Sequence, residues 1–328
     1  MRLLLLGGTK FVGRAVAEEA LARGWEVTAL NRGTRPAPEG VRALSGDRTA
    51  EDGLAALGTG EWDAVVDTWS WAPAAVRDSA RFLNGRVGHY AYLSSRSVYD
   101  HPLAAGADET APVVASSPDL TGEVPYAETK RGAELALEAE FGGRALLARA
   151  GLILGPYEDI GRLPWWLDRI AEGGPVLAPG PRDLALQYID VRDLAVWTLD
   201  AVVAGLGGAY NLVGPSGHAT MGELLEACVR ATGSDAELRW TAPERILAAG
   251  IEPWTELPIW LAPGELCDFM HAGSVERALG AGLRCRPVAE TVQDTWAWLR
   301  SIGGKAPQRE DRARVGLDRE RENAVLDG

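Results

Sequence analysis

The opening of the chain restricts the fold more than any other stretch. Residues 3–13 read Leu-Leu-Leu-Leu-Gly-Gly-Thr-Lys-Phe-Val-Gly. The four leucines predict a short buried strand, the glycines a turn, and the residues from Val12 onward an amphipathic helix. Such a unit holds the pyrophosphate of a dinucleotide, because glycine lets the backbone approach the phosphates and the helix N-terminus faces their charge. The opening therefore predicts a dinucleotide-binding turn.

The match to the G-x-G-x-x-G fingerprint is incomplete. Gly7 and Gly13 hold the outer positions, but Lys10 stands where a middle glycine is usual. An ordinary glycine turn of an α/β protein is the alternative. The candidate phosphate-binding residues are Gly7, Thr9, Lys10, Phe11, Val12 and Gly13.

The next segment predicts which dinucleotide is bound. A helix fits residues 12–23, and the strand that follows, over residues 25–30, ends at Asn31-Arg32-Gly33, with Arg35 two residues further on. An acid at this point accepts the ribose 2′-hydroxyl of NAD, whereas an arginine accommodates the 2′-phosphate of NADP. No acid is present, so we predict NADP rather than NAD, with Arg32 as the main anchor. The alternative is a solvated loop arginine.

Composition excludes several classes of function. The 328 residues have a formal net charge of −13, which disfavours nucleic acid as a partner. Three scattered cysteines and four scattered histidines have no metal-ligand spacing, so we expect no metal and a reduced compartment. No apolar run approaches a membrane span, and the apolar run after Met1 is too short for a signal peptide. We expect a cytoplasmic protein that does not bind membranes.

The first half alternates apolar strands with helical patterns, which predicts a doubly wound parallel sheet of the Rossmann type. Ligands of such sheets bind at the carboxyl ends of the strands. Further strands are predicted at 41–44, 64–68, 90–94 and 145–149, with helices near 50–57, 73–84 and 126–141.

Beyond Gly155-Pro156 the pattern becomes irregular, and we predict a smaller, discontinuous C-terminal part that binds substrate. Residues 1–157 plus 184–213 would form the dinucleotide-binding domain, and 158–183 plus 214–302 the substrate-binding part. Residues 303–328 form a charged tail, for which a solvated helix near 318–326 and disorder are alternatives.

Tyr126 and Lys130 lie four residues apart, on one face of a predicted helix. The Tyr-x-x-x-Lys spacing alone is weak, but its context strengthens it. It opens a helix after a long loop, and that loop follows a strand ending in Ser94-Ser95-Arg96-Ser97-Val98-Tyr99.

With these motifs the chain resembles the extended, in some respects atypical, short-chain dehydrogenase/reductases, the NAD-dependent epimerase/dehydratase family. The resemblance covers nearly the whole chain. It implies that Tyr126 is the general acid/base, that Lys130 binds the nicotinamide ribose and lowers the pKa of the phenol, and that Ser95 orients the substrate carbonyl. Ser94 belongs to the strand end beside the cofactor.

The resemblance also implies the remaining cofactor contacts. Asn31 and Arg32 would meet the adenosine ribose or its phosphate, together with Arg35. The adenine would lie beside Asp47 and Arg48. The fourth strand would pass under the cofactor, and the sixth would end along the nicotinamide, with the contacts Asp67, Thr68, Trp69, Ala150, Gly151 and Ile153.

Departures from the family pattern narrow the function. Ser95-Arg96-Ser97 replaces the Thr-Asp-Glu of sugar-nucleotide dehydratases, and Ala150-Gly151-Leu152 lacks the asparagine of many epimerases. We therefore predict an NADP(H)-dependent oxidoreductase that reduces a carbonyl or imine of a small molecule. A sugar-nucleotide epimerase with bound NAD and a non-catalytic NAD(P)-binding regulator stay open, and the resemblance also allows a homodimer.

Tryptophan is frequent, with 12 residues in the chain. Trp69, Trp71, Trp165 and Trp166 suggest an apolar or aromatic substrate pocket. Core packing is the alternative for each of them.

Overall fold

The computed structural model describes residues 1–101, 103–309 and 313–327. Its strands are β1 Arg2–Leu6, β2 Glu26–Asn31, β3 Arg42–Ser45, β4 Trp62–Asp67, β5 Val87–Ser95, β6 Ala145–Ala150, β7 Leu152–Leu154, β8 Pro175–Pro179, β9 Ala185–Leu186, β10 Tyr188–Asp190, β11 Gly208–Leu212, β12 Ala219–Thr220 and β13 Glu237–Thr241. Its α-helices are α1 Phe11–Ala22, α2 Ala74–Leu83, α3 Tyr126–Phe141, α4 Arg162–Ala171, α5 Val191–Val203, α6 Met221–Thr232, α7 Pro243–Ala248, α8 Glu265–His271, α9 Glu276–Gly280, α10 Val288–Ser301 and α11 Arg319–Asp327. Single 3₁₀ turns occur at Ala55–Leu57, Arg96–Val98 and Gly142–Arg144.

Seven strands form a parallel sheet in the order β3-β2-β1-β4-β5-β6-β11. The strand order reverses beside β1, which pairs with β2 on one side and β4 on the other. At such a switch point the loops after neighbouring strands separate and leave a crevice at their carboxyl ends. The predicted doubly wound Rossmann-type sheet is confirmed.

The four leucines of β1 explain why helices cover both faces of the sheet. Side chains alternate along a strand, so Leu3 and Leu5 enter one core while Leu4 and Leu6 enter the other. Helices α1 and α5 contribute to the first core, and α2 and α3 to the second. All four leucines are buried, which is the expected environment of a central parallel strand.

A third core lies outside the sheet and is built mainly from α4, α6 and α10 with the parallel pair β8–β13. This core also includes Leu152 of β7, which precedes α4, and Leu186 and Tyr188 of β9 and β10, which follow β8. The tail contributes Leu317 and Val325. Residues from both predicted parts and from the tail share this core. The boundaries between the dinucleotide-binding domain and the substrate-binding part therefore stay a prediction.

Three local expectations differ from the structure. The helix near 50–57 is reduced to one 3₁₀ turn, because Gly53 packs so closely on Asp47 that a Cβ would stand 1.7 Å from the Asp47 carbonyl oxygen. The irregular segment 158–183 contains α4 and β8. The tail does form a helix, α11, but this helix is docked rather than solvated, because Glu322 is buried against Arg169.

None of the helices within the described ranges is both long enough and apolar enough to cross a membrane.

Candidate active site

A cavity of about 840 Å³ runs along the carboxyl ends of β1, β2, β4, β5 and β6. It brings together every candidate site residue named from the sequence except Asp67. These residues are Gly7, Thr9, Lys10, Phe11, Val12, Gly13, Asn31, Arg32, Arg35, Asp47, Arg48, Thr68, Trp69, Ser94, Ser95, Tyr126, Lys130, Ala150, Gly151 and Ile153.

The turn after β1 needs glycine at its two outer positions. Gly7 has a φ of 124°, and a Cβ there would stand 2.3 Å from Thr68 Oγ1. A Cβ on Gly13 would stand 2.6 Å from the backbone nitrogen of Gly8. These two glycines let the turn lie against β4 and α1 against the turn.

Lys10 replaces the middle glycine without backbone strain. Its φ of −129° and ψ of 154° are extended values that any L-residue adopts. The side chain leaves the turn, and its Nζ lies 3.7 Å from Asp159 Oδ2, which also lines the cavity. Lysine in place of the middle glycine therefore preserves the shape of the turn and adds a cationic side chain to the wall of the cavity.

The end of β2 forms the second wall of the cavity. Asn31 Oδ1 accepts the backbone N–H of Gly33 at 2.8 Å, and Asn31 Nδ2 is buried with no partner among the described residues. Arg32 and Arg35 line the cavity beside it. A buried donor without an acceptor costs free energy, so this amide group fits a binding site in which a polar ligand supplies the acceptor.

Asp47 lines the same end of the cavity. Hydrogen bonds from the backbone N–H and the hydroxyl of Thr49 lower the pKa of Asp47, and the charge of Arg32 lowers it further. The carboxylate is thus charged and lies close enough to Arg32 for its charge to act on it.

Asp67 requires a correction, because its side chain does not line the cavity. Both of its carboxylate oxygens accept from Arg48, at 2.7 and 2.8 Å, and Tyr90 donates to one of them at 2.7 Å. The pair is almost completely buried. The carboxylate of Asp67 therefore holds Arg48 in place, while Arg48 itself borders the cavity.

Tyr126 and Lys130 lie one turn apart at the start of α3. Tyr126 is the first helical residue after Pro125 and is 44% exposed, whereas Lys130 is buried one turn later. Lys130 Nζ donates to the carbonyls of Trp69 at 2.6 Å and Leu93 at 2.7 Å, and lies 5.8 Å from the centroid of the Tyr126 ring. The two carbonyls hold a cation at the sheet edge next to the phenol.

The two serines at the end of β5 have different surroundings. Ser94 Oγ donates at 2.7 Å to the buried carboxylate of Glu134, which also pairs with Arg149. Ser95 caps the following 3₁₀ turn by accepting from the backbone of Ser97 at 3.1 Å. The Ser94 hydroxyl is thus bound to a carboxylate, whereas the described side-chain partner of the Ser95 hydroxyl is the neutral hydroxyl of Ser97.

Several residues that line the cavity were not singled out as site residues from the sequence. They come from the loop after β7, from the C-terminal part and from the tail: Asp159, Ile160, Arg162, Trp254, Phe269, Met270 and Arg309. These residues have no fixed sequence spacing from the motifs, because segments far along the chain fold back to the edge of the sheet and bring them to the cavity. Trp69 and Trp71 also line the cavity, but Trp165 and Trp166 do not. Trp165 packs against the third core, and Trp166 is buried in it and donates to the carbonyl of Pro258.

The cavity is cationic although the chain is acidic. Among the described residues, eight cationic side chains and two carboxylates line it, against a formal net charge of −13 for the whole chain. The cations are Lys10, Arg32, Arg35, Arg48, Arg96, Lys130, Arg162 and Arg309. A cleft with this charge balance concentrates anionic ligands.

Comparison with known proteins gives one family and many similar folds. The model of the NAD dependent epimerase/dehydratase family matches residues 3–213. The structure of WbmH from Bordetella bronchiseptica in complex with NAD⁺ is 19% identical, with a TM-score of 0.66 over 92% of this chain and 99% of that one. No curated protein sequence matches the chain.

Two further solved structures are similar over the same extent. UDP-glucuronic acid 4-epimerase from Bacillus cereus in complex with NAD is 13% identical, with a TM-score of 0.64 over 92% of this chain and 99% of that one. The UDP-glucose 4-epimerase of Thermus thermophilus in complex with NAD is 22% identical, with a TM-score of 0.63 over the same shares.

Proposed function

The chain belongs to the NAD-dependent epimerase/dehydratase family, and on that basis we propose that it is an NADP(H)-dependent oxidoreductase that reduces a carbonyl or imine of a small organic molecule. The observation that carries the proposal is the position of Tyr126, Lys130 and Ser95 on the same cavity as the glycine turn. A dinucleotide site and an acid/base group thus share one space.

The residues present fit a nicotinamide dinucleotide. The turn from Gly7 to Gly13 lines the cavity, and the N-terminus of α1, which suits the negative charge of a pyrophosphate, follows it. Asn31 supplies the buried donor that lacks a partner. A bound nicotinamide dinucleotide supplies the hydride in such a reaction.

The chain's own residues handle the proton and the orientation of the substrate. Tyr126 donates the proton to the substrate oxygen or nitrogen, since it is the exposed phenol of the cavity. The nearby ammonium of Lys130 stabilises the phenolate that remains. Ser95 donates a hydrogen bond to the same substrate atom and fixes its position.

The preference for NADP(H) rests on Arg32 and Arg35 and on Asn31, the residue that ends β2 where NAD enzymes of this fold have an acid. The test is a titration with NADPH and NADH, followed by quenching of tryptophan fluorescence. Wild type should bind NADPH about tenfold to a hundredfold more tightly than NADH, and Arg32→Ala should lose that preference, because one charge-assisted hydrogen bond contributes about 1.5–3 kcal/mol. Arg42→Ala, on β3 and outside this cavity, is the matched control.

Equal affinity of the wild type for both dinucleotides would overturn the preference. Catalysis is tested separately with Tyr126→Phe, which should keep dinucleotide binding and lose about 10²–10⁴-fold in turnover of a carbonyl panel with NADPH. Unchanged turnover in this variant would remove Tyr126 from the mechanism.

A second candidate is a sugar-nucleotide epimerase that retains NAD. The observation in its favour is that solved epimerases match more than nine-tenths of this chain in fold. Mass spectrometry of the denatured protein distinguishes the two functions. NAD retained through purification favours the epimerase, and an empty protein that binds NADPH reversibly favours the reductase.

A further inference from the structure

Arg96 is a buried cation beside the proposed reaction centre. It follows Ser95 directly, begins the 3₁₀ turn after β5, is 6% exposed and lines the cavity. A guanidinium in such a place normally faces a carboxylate, because burial without an opposite charge is costly.

The partners of Arg96 are all neutral. Nη1 donates to Gln187 Oε1 at 2.8 Å and to the carbonyl of Met270 at 3.2 Å, and Nη2 donates to the carbonyl of Phe269 at 2.7 Å. Nε is buried with no partner among the described residues. Burial lowers the pKa of Arg96, and the opposing charge of Glu109, which lies beyond hydrogen-bond distance, does not offset this effect.

The other buried arginines of the described chain are all paired with an acid. Arg48 contacts Asp67, Arg149 contacts Glu134, and Arg169 contacts Glu322, each at 2.9 Å or less. No carboxylate of the described residues lies within 4.0 Å of Arg96. Among the described residues, Arg96 is thus the one buried arginine without a carboxylate within 4.0 Å, whereas Arg48, which also borders the cavity, is neutralised by Asp67.

The surroundings keep the Arg96 guanidinium in place. Gln187 is fully buried, and its amide is fixed by hydrogen bonds with the backbone of Gly273 at 3.0 and 2.8 Å. Gly273 leaves room for the cation, since a Cβ there would stand 2.1 Å from Arg96 Nη2. A charge fixed in this way is ready for a ligand without reorganisation.

We propose that Arg96 binds an oxoanion of the substrate, a carboxylate or a phosphate, next to the group on which Ser95 and Tyr126 act. The proposal deepens the proposed function, since it names the chemical class of the substrate at the same site. Arg96 then determines specificity, because neutral carbonyl compounds leave its charge uncompensated.

The first experiment uses simple anions as probes on protein saturated with NADPH, so that the dinucleotide site is filled. Sodium phosphate and sodium acetate are titrated at constant ionic strength adjusted with sodium chloride, and Tm is followed. We expect a saturable rise in Tm with one of the two anions in the wild type. Phosphate or acetate as the active probe distinguishes a phosphate from a carboxylate substrate.

Two variants assign the effect to Arg96. Arg96→Met should weaken binding of the active anion at least tenfold, whereas Arg96→Lys should retain part of it. Arg182→Met is the control, because Arg182 is exposed, pairs with Glu226 and lies outside the cavity. Absence of a saturable effect in the wild type, or an equal effect in Arg96→Met, would overturn the proposal.

The wild-type titration keeps the test decisive even if Arg96→Met does not fold. Binding of NADPH, measured first in the same preparation, reports on the proposed function independently of the anion. If NADPH does not bind, the proposed function fails, and the anion titrations are repeated without the dinucleotide. The difference in anion binding between wild type and Arg96→Lys then decides the role of Arg96, because an anion held elsewhere in the cavity would bind both proteins equally.

Discussion

At the scale of single residues, the absence of a side chain matters as much as its presence. Gly13 has no Cβ, and this lets the first turn of α1 touch Gly8. Lys10 carries a full side chain three positions earlier because its backbone is extended. The fingerprint is therefore retained at the positions where geometry demands glycine and changed where it does not.

Gly13→Ala tests this argument. The new methyl group would stand 2.6 and 2.8 Å from the nitrogen and Cα of Gly8, so the turn must move. We expect a loss of about 1–3 kcal/mol in the free energy of unfolding and at least tenfold weaker dinucleotide binding. Gly143→Ala is the control, since no atom lies within 4 Å of its Cβ position. Unchanged binding in Gly13→Ala would show that the turn does not hold the dinucleotide.

At the scale of the element, β4 carries two aspartates with opposite roles. Asp63 is exposed and lies 3.9 Å from Arg2, whereas Asp67 is buried and forms a bidentate pair with Arg48. Strand β4 therefore carries one aspartate–arginine ion pair at its exposed end and another at its buried end.

The two aspartates should differ in their contribution to stability. Asp67→Asn leaves the buried guanidinium of Arg48 without its counterion and should cost about 3–5 kcal/mol in the free energy of unfolding. Asp63→Asn weakens an exposed ion pair and an exposed hydrogen bond from the backbone N–H of Arg2, and it should cost about 0–1 kcal/mol. Urea unfolding at pH 7 measures both. Equal losses would mean that burial does not determine the value of these pairs.

At the scale of the whole molecule, a polar network joins the sheet to the C-terminal part. Gln187 receives a hydrogen bond from Arg96 of the sheet domain, and its backbone N–H donates to His271 Nδ1 at 3.1 Å. His271 Nε2 lies 3.2 Å from the carbonyl of Ile259. His271 accepts through one ring nitrogen, so the ring is neutral in this arrangement.

The neutral His271 in this polar network should make the stability of the protein sensitive to acid. Burial, together with the charge of Arg96, lowers the pKa of His271 to about 4 from a usual 6.5. The unfolded chain therefore binds a proton more readily between these values, and stability falls as pH decreases through them. From pH 7 to pH 5 this one group should cost about 2 kcal/mol in the free energy of unfolding.

Urea unfolding of wild type and His271→Gln at both pH values isolates this contribution. The variant should be less stable at pH 7, but its loss between pH 7 and pH 5 should be smaller than that of the wild type by about 2 kcal/mol. An identical loss in both proteins would show that other groups cause the acid sensitivity.

Features that depend on neighbouring residues could be predicted from the sequence alone. The strand, turn and helix at residues 2–22 follow from four leucines, two glycines and an amphipathic repeat. The Tyr126–Lys130 spacing places both side chains on one helix face for the same reason. The alternation of strand and helix patterns was sufficient to predict the sheet, because local periodicity fixes which way each element faces. Much of the cavity wall was predicted from the family resemblance rather than from periodicity.

Which polar groups pair with one another depends instead on tertiary contacts. Asp67 looks like a cofactor ligand in the sequence, yet Arg48 from another strand end takes its carboxylate. Glu322 looks solvated in a charged tail, yet it pairs with Arg169, 153 positions away. Arg96 donates to the carbonyl of Phe269, 173 positions along the chain, and forms no ion pair with a carboxylate of the described residues. Charge pairing acts through space between distant segments, so no local pattern can reveal which cations are left for a ligand.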